Sequence, residues 1–264
     1  MISPFVPCPI AIPSYKRASV LKEKTLAFLQ REHVSASVIY IFVANQEEFD
    51  EYTRVLEPTS YNRIIIGKPG LAAQRNFISR HFAEGEIILQ MDDDVKGIKR
   101  LYGTFNQLLY NMYDELKNDC GLVGILPNDD GRRMFSEKTY HLTFIIGCFL
   151  MVRNHRDFYL HHDEKDDFVR SIWYFQKYGR VCRLQHAGVI TTYNIGSGGL
   201  IGPHREQKMK EGIEFMLKEY PGYCRLVKKR KGLDIILNWR ASPSVESRVL
   251  SPEEVAPASE PSPS

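Results

Sequence analysis

Cysteine is scarce in this chain of 264 residues. There are five, Cys8, Cys120, Cys148, Cys182 and Cys224, an odd number with no two at Cys-x-x-Cys spacing. This excludes a disulfide scaffold, argues against a thiolate zinc site and fits a reducing compartment. Long apolar runs are missing too. The longest, near Phe144–Val152, is far short of the roughly 20 residues that span a bilayer. The opening MISPFVPCPIAIP has no basic segment leading into a long apolar one, so no signal peptide is expected and cytoplasmic residence is the default. No internal repeat is visible, which excludes a solenoid. Charge of one sign is also lacking. Lys and Arg total 35 against 32 Asp and Glu, a net charge of +3, which excludes a broadly basic nucleic-acid binder. With 43% hydrophobic and 25% charged residues, the composition is that of a globular protein able to bury a sizeable core.

The small net charge is unevenly spread. Residues 1–224 carry only +1, the segment Arg225–Arg240 carries +5, and the tail 241–264 carries −3. That tail holds five Pro and seven Ser with no aromatic residue, a composition that predicts disorder. The rest, 1–240, is expected to form one domain.

Apolar patterning predicts alternating strands and helices through the first half. Strands are expected at Ile10–Pro13, Val38–Val43, Arg63–Ile66 and Glu86–Met91, with helices at Ser19–Arg31, Glu47–Leu56 and Leu71–Phe82. This alternation implies βαβ units, hence an α/β fold with a mostly parallel sheet flanked by helices. Further on, the patterning predicts a helix over Ile98–Leu116 and a strand at Gly121–Leu126. One or two strands are expected within Thr139–Val152, then a helix over Asp166–Lys177. Short strands follow at Val181–Leu184 and Gly188–Thr192, a glycine-rich loop at Ile195–Pro203, and a helix over Glu206–Tyr220.

The fourth strand runs into three consecutive carboxylates, Asp92, Asp93 and Asp94. Open α/β sheets bind ligands beyond the carboxyl ends of their strands, and alternate residues of an extended chain face the same way. Asp92 and Asp94 can therefore serve one site. Two hard oxygen donors suit Mg²⁺ or Mn²⁺ shared with substrate phosphates. The alternative is a solvated acidic turn.

These elements, taken in order, resemble the nucleotide-sugar half of a GT-A fold glycosyltransferase of the family 2-like kind. The resemblance rests on a strand ending in Pro13-Ser14-Tyr15-Lys16-Arg17, a second strand ending at Asn45, the Gly70…Gln74-Arg75-Asn76 helix and the strand ending in Asp92-Asp93-Asp94. It covers most of residues 9–200. It implies a Rossmann-like mixed sheet, with 9–95 as the nucleotide-sugar half and 96–240 as the acceptor half. It also implies a UDP-sugar donor with Mn²⁺ or Mg²⁺. Pro13, Ser14, Lys16 and Arg17 would hold the base and diphosphate, and Lys16 and Arg17 have the chemistry to grip phosphate. Arg75, Asn76 and Asp93 would lie near the donor, Asp92 would meet the ribose or sugar and share the metal, and Asp94 would hold the metal. Asn45, followed by Glu47, stands where the family often has an acid near the nucleoside.

A second acidic cluster, His161-His162-Asp163-Glu164-Lys165-Asp166-Asp167, resembles the Glu-Asp element that opens the family's acceptor-side helix. The second acid would be the catalytic base of an inverting enzyme, which makes Asp167 the first candidate, with Asp166 and then Asp163 as alternatives. Helix capping is the competing reading. Gly147 sits where the family has a glycine near the donor sugar; a β-bulge is the alternative. Many GT-A enzymes have a late His on the metal, for which His204 is the first candidate and His186 the second. Arg205 would clamp a phosphate.

The basic run Lys228-Lys229-Arg230-Lys231 is a candidate contact for a phosphate backbone; a solvated surface is the alternative. The order glycine loop, Arg205, helix, Tyr220-Pro221, basic run and final apolar strand looks like the small glycosyltransferases associated with TET/JBP oxygenases, found in phages and eukaryotes. That likeness implies DNA carrying a 5-hydroxymethylpyrimidine as the acceptor. Two rivals stand beside it: transfer to a polysaccharide or protein, and a non-catalytic nucleotide- or DNA-binding module.

Overall fold

The computed structural model describes residues 8–191, 205–229 and 232–243. Strand β1 (Ile10–Pro13) leads into α1 (Ala18–Leu21), which continues through a π-helical stretch, Lys22–Leu26, into α2 (Ala27–Arg31). Strand β2 (Ile39–Val43) is followed by α3 (Gln46–Val55), whose N-terminus is capped by the Asn45 side chain accepting from the Glu48 amide. Strand β3 (Arg63–Ile66), helix α4 (Leu71–His81), β4 (Ile87–Met91) and β5 (Val95–Arg100) complete the first half. Next come α5 (Phe105–Lys117), β6 (Leu122–Leu126), β7 (Lys138–Thr139), β8 (Phe149–Arg153), α6 (Asp166–Tyr178) and β9 (Cys182–Thr191). The described chain closes with α7 (Arg205–Glu219) and the antiparallel pair β10 (Cys224–Lys229) and β11 (Gly232–Leu237).

The nine-stranded sheet has the order β3-β2-β1-β4-β8-β6-β9-β5, with β7 pairing off β9. Strands β3, β2, β1, β4, β6 and β9 are parallel, while β5, β7 and β8 run against them. Parallel strands bury both faces, which is why they appear in the sequence as unbroken apolar runs. Ile10 and Ile12 enter one core with Ile41, Val43, Leu89 and Met91; Ala11, Phe42 and Ile88 enter the other with Ile172 and Trp173. The mostly parallel α/β architecture expected from the patterning is what the structure has.

Three local expectations are corrected. Residues 95–100 form β5, because Val95 and Ile98 pair with Thr191 and Val189 on either side of a bulge between Val95 and Gly97; the helix starts only at Phe105, behind a Thr104–Gln107 capping box. The two short strands expected at 181–192 are one strand, β9, which absorbs a register shift beside Leu126. Within 139–152, regular strand is confined to Thr139 and to β8 from Phe149 onward. The basic run opens on a strand, β10. The glycine-rich loop 195–203 and residues 244–264 of the tail lie outside the described residues.

Candidate active site

The carboxyl ends of β1, β4 and β9 and the start of antiparallel β8 meet at one edge of the sheet. This is where open α/β folds place ligands. The Asp92–Asp94 turn sits there, pinned by a residue the sequence does not advertise. Thr25, fully buried in the π-helical stretch, donates its hydroxyl to the Asp92 carbonyl at 2.8 Å and accepts from the Val95 amide at 3.0 Å. Bulged helical turns recur at functional sites, and here the bulge delivers the hydroxyl that closes the acidic turn.

The three carboxylates are not equivalent. Asp93 turns inward. Its Oδ2 accepts from Ser14 Oγ at 2.6 Å, and its Oδ1 lies 3.2 Å from Nη1 of Arg17. Burial is the largest influence on Asp93 and pushes its pKa up to about 6, against the Ser14 hydrogen bond and Arg17. A chain of hydrogen bonds fixes it: the Arg17 amide donates to Tyr52 Oη at 3.1 Å, and the Tyr52 hydroxyl meets Ser14 Oγ at 2.6 Å. Asp92 and Asp94 flank it and stay half-buried, at 35% and 17% side-chain exposure. Asp94 accepts from the Thr191 hydroxyl at 3.0 Å and lies 3.6 Å from Arg17. Asp92 is ion-paired to Arg75 at 3.0 Å.

Arg75 joins the two halves of the site. Its guanidinium, 3% exposed, contacts Asp92 after β4 and Asp166 on α6 at 3.2 Å, with the Gly147 carbonyl at 3.4 Å. Asp167 stands beside it. A Cβ on Gly147 would fall 2.2 Å from Oδ1 of Asp167 and 3.2 Å from Nη2 of Arg75. Gly147 therefore leaves room for the Asp167 carboxylate. Burial pushes the Asp167 pKa well up and adjacent Asp166 adds to it, while Arg75 and Arg170 oppose. Arg170, fully buried one turn into α6, is a further residue that sequence reasoning missed; its spacing of four from Asp166 was the available signal.

Several expected ligand-binding side chains are engaged within the protein. The Ser14 hydroxyl serves Asp93 and Tyr52. Both amide atoms of Asn76 bond the Leu160 backbone at 2.8 Å, so it anchors the segment before α6. Asn45 caps α3. Asp163 accepts from the Ala72 amide at 2.8 Å and caps α4 from across the fold. Glu48, buried where Glu47 was expected to matter, accepts from the Lys16 amide at 2.7 Å and holds Lys16 at φ +56°. Lys16 itself is exposed, and Pro13 ends β1 in register with Phe42. His186 is removed from the metal site. It lies five residues before Thr191 on β9, about 16 Å away along an extended strand. There it stacks on Tyr102 at 4.6 Å beside a cavity of about 370 Å³ also lined by Gln107 and Asn111. His204, Arg230, Lys231 and the Arg205 side chain lie outside the described residues. Lys228 and Lys229 are exposed on β10, where Lys229 pairs with Asp234 at 2.7 Å.

The donor set can be tested against a divalent cation. Five carboxyl groups (Asp92, Asp93, Asp94, Asp166, Asp167) outnumber three guanidiniums (Arg17, Arg75, Arg170) at this edge of the sheet. The half-buried pair Asp92 and Asp94 offers hard oxygens on either side of an inward-turned Asp93. These residues fit Mg²⁺ or Mn²⁺. A second group, Glu84, His155 and Asp157, has ligand atoms within 4.8 Å of one another, but it belongs to the opposite edge, where β4 begins and β8 ends.

This architecture is that of the GT-A glycosyltransferases. Solved structures with which it shares the fold include GalNAc-T7 with UDP, GalNAc and Mn²⁺ (TM-score 0.52, 12% identity, 82% of this chain and 50% of that one). Another is glucosyl-3-phosphoglycerate synthase from Mycobacterium tuberculosis with Mn²⁺, UDP and glucosyl-3-phosphoglycerate (TM-score 0.50, 10% identity, 88% and 86%). A mannosyltransferase from Pyrobaculum calidifontis, in complex with GDP-Man and Mn²⁺, aligns at TM-score 0.48 and 18% identity over 67% of this chain. The chain spans 56% of that mannosyltransferase's length. No protein-family model and no curated protein matches the chain. Among the described residues, no helix is long and apolar enough to cross a membrane.

Proposed function

We propose that the protein is a metal-dependent glycosyltransferase that moves a sugar from a UDP-sugar to an acceptor hydroxyl with inversion. The observation that carries this reading is the cluster of carboxyl groups at the sheet edge, with Asp92 and Asp94 half-buried on either side and Asp93 locked inward. Asp94 and Asp92 would hold Mn²⁺ or Mg²⁺, which when bound neutralises charge on the leaving diphosphate. Arg17 lies beside this position, and it and the exposed Lys16 would supply cations to the phosphate oxygens. Asp167 acts as the general base. It takes the proton from the acceptor hydroxyl as that oxygen attacks the anomeric carbon and the bond from that carbon to the diphosphate breaks. A base with an upward-shifted pKa binds the proton better once it is transferred. Asp166 and Arg75 hold the base against the donor side. His204 and Arg205 complete the proposed metal and phosphate contacts.

The proposed acceptor is a 5-hydroxymethylpyrimidine in DNA, which must leave the duplex stack to reach the cleft. Support comes from the basic strand β10 and from Asp234 of β11, which pairs with both Lys229 of β10 at 2.7 Å and Lys165 at the start of α6 at 2.6 Å. Lys228, Lys229, Arg230 and Lys231 would follow the phosphate backbone. The test has two parts. Calorimetry with a panel of nucleotide-sugars and Mn²⁺ should show metal-dependent binding that Asp94→Ala abolishes with the fold intact. Labelled sugar should then enter hydroxymethylated DNA and not unmodified DNA. Metal-dependent donor hydrolysis without incorporation into either DNA would leave a polysaccharide or protein as the acceptor and refute the DNA reading.

A further inference from the structure

The helix that carries the proposed base begins abnormally. Lys165, at the N-cap of α6, has φ +66° and ψ +17°, and no side chain caps the helix there. A left-handed conformation in a residue with a Cβ is disfavoured, and such strain persists only where neighbours over-determine it. The neighbour here is Asp234 on β11. Its Oδ1 receives Nζ of Lys165 at 2.6 Å, in a pair with Lys165 at 7% and Asp234 at 22% exposure. The Lys165 carbonyl accepts from the amides of both Phe168 and Val169 at 3.0 Å. The conformation of Lys165 thus sets where Asp166 and Asp167 emerge. The other oxygen of Asp234 receives Lys229 of the basic strand at 2.7 Å.

We propose that Asp234 is a positioning residue. It clamps Lys165 in the left-handed N-cap from which the catalytic carboxylates project, and it makes the β10–β11 hairpin the support of the acceptor side. Resting on the glycosyltransferase reading, the idea assigns the hairpin a second task beyond contact with the acceptor. An acceptor phosphate that draws Lys229 away leaves Asp234 to Lys165 alone, so acceptor docking and base placement share one carboxylate.

The test compares wild type, Asp234→Ala, Asp234→Glu and the double variant Asp234→Ala with Lys165→Gly in the full chain. Glycine adopts φ +66° without strain, so it supplies the backbone conformation without the ion pair. Two readouts are needed. Amide exchange at Phe168 and Val169 should accelerate about tenfold in Asp234→Ala and return toward wild type in Asp234→Glu and in the double variant. Turnover should follow the same order, with kcat falling at least tenfold in Asp234→Ala, recovering in the two rescues, and donor KM unchanged. Mn²⁺-dependent nucleotide binding, measured alongside, should be equal in all four proteins. Unchanged exchange in Asp234→Ala overturns the clamp, whatever the activity. Accelerated exchange that Lys165→Gly does not correct also overturns it, because the ion pair would then serve general packing. Absence of nucleotide binding and turnover in wild type would instead sink the underlying reading and leave the exchange result standing.

Discussion

Gly147→Ala separates a catalytic Asp167 from a merely structural one. Gly147 does not have a positive φ, so alanine fits the backbone and the effect is one of space. The added methyl would lie 2.2 Å from Oδ1 of Asp167, where ordinary contact begins at 3.4 Å, so the carboxylate must retreat by about 1.2 Å. Misplacing a reacting group by about 1 Å costs on the order of 10²-fold in rate, or about 2.7 kcal/mol of barrier. Arg75, 3.2 Å from the same methyl, has to give by only a few tenths of an ångström, and its pair with Asp92 survives. The expected result is a kcat roughly 10²-fold lower with Mn²⁺-dependent donor affinity kept within a factor of about two. Steady-state transfer assays and calorimetry measure the two quantities, and Asp167→Asn gives the floor. Wild-type kcat in Gly147→Ala would refute Asp167 as the base, because the structure allows no undisplaced position for its carboxylate.

Other perturbations probe the supporting parts. Thr25→Val removes the hydroxyl that closes the acidic turn; two buried partners are left unmet, so stability should fall by about 2 kcal/mol and metal affinity should weaken, as denaturant titration and Mn²⁺ binding would show. Burial, with Lys138 a smaller influence, depresses the His186 pKa below its ordinary 6.5. The unfolded chain therefore binds the proton more readily, and stability is lost as pH falls below about 6.5, with a limiting slope of about 1.4 kcal/mol per pH unit for one group. His186→Phe keeps the stack on Tyr102 and should flatten the melting temperature between pH 7 and 5; an unchanged slope would show that His186 charges freely in the fold. Neutralising Lys228, Lys229, Arg230 and Lys231 together should weaken acceptor use and reduce its salt dependence while sparing donor binding. Loss of donor binding would contradict that division.

The parts of the fold legible in the sequence were those governed by burial on both faces. Ile10–Pro13, Val38–Val43 and Ile87–Met91 could be read because a parallel strand between two helical layers is apolar at nearly every position. β5 could not: Val-Lys-Gly-Ile-Lys-Arg is an edge strand with exposed lysines, and its pairing with β9 is set by residues nearly a hundred positions away. In the site, charge was legible and its direction was not. Three consecutive aspartates announce a ligand, but which one turns inward depends on Ser14 and Tyr52, and no local pattern joins those to Asp93. The partner of Asn76 was hidden for the same reason. Its neighbour Arg75 faces the cleft, whereas one step along the helix the side chain faces Leu160. The Lys165–Asp234 pair spans 69 residues and left no trace in spacing.

The interior position of Arg75 limits how this protein can be re-engineered. A chimera that joined residues 9–95 to a foreign second half would keep the pair of Arg75 with Asp92 but remove the one with Asp166, leaving a buried guanidinium with half of its carboxylate partners. The two halves are therefore not interchangeable modules, even though the chain order suggests a cut between them. Acceptor preference is better altered on the outer side of the β10–β11 hairpin, where Arg225, Leu226, Lys228 and Leu233 are exposed and can vary without disturbing the charge balance that Arg75 enforces at the centre.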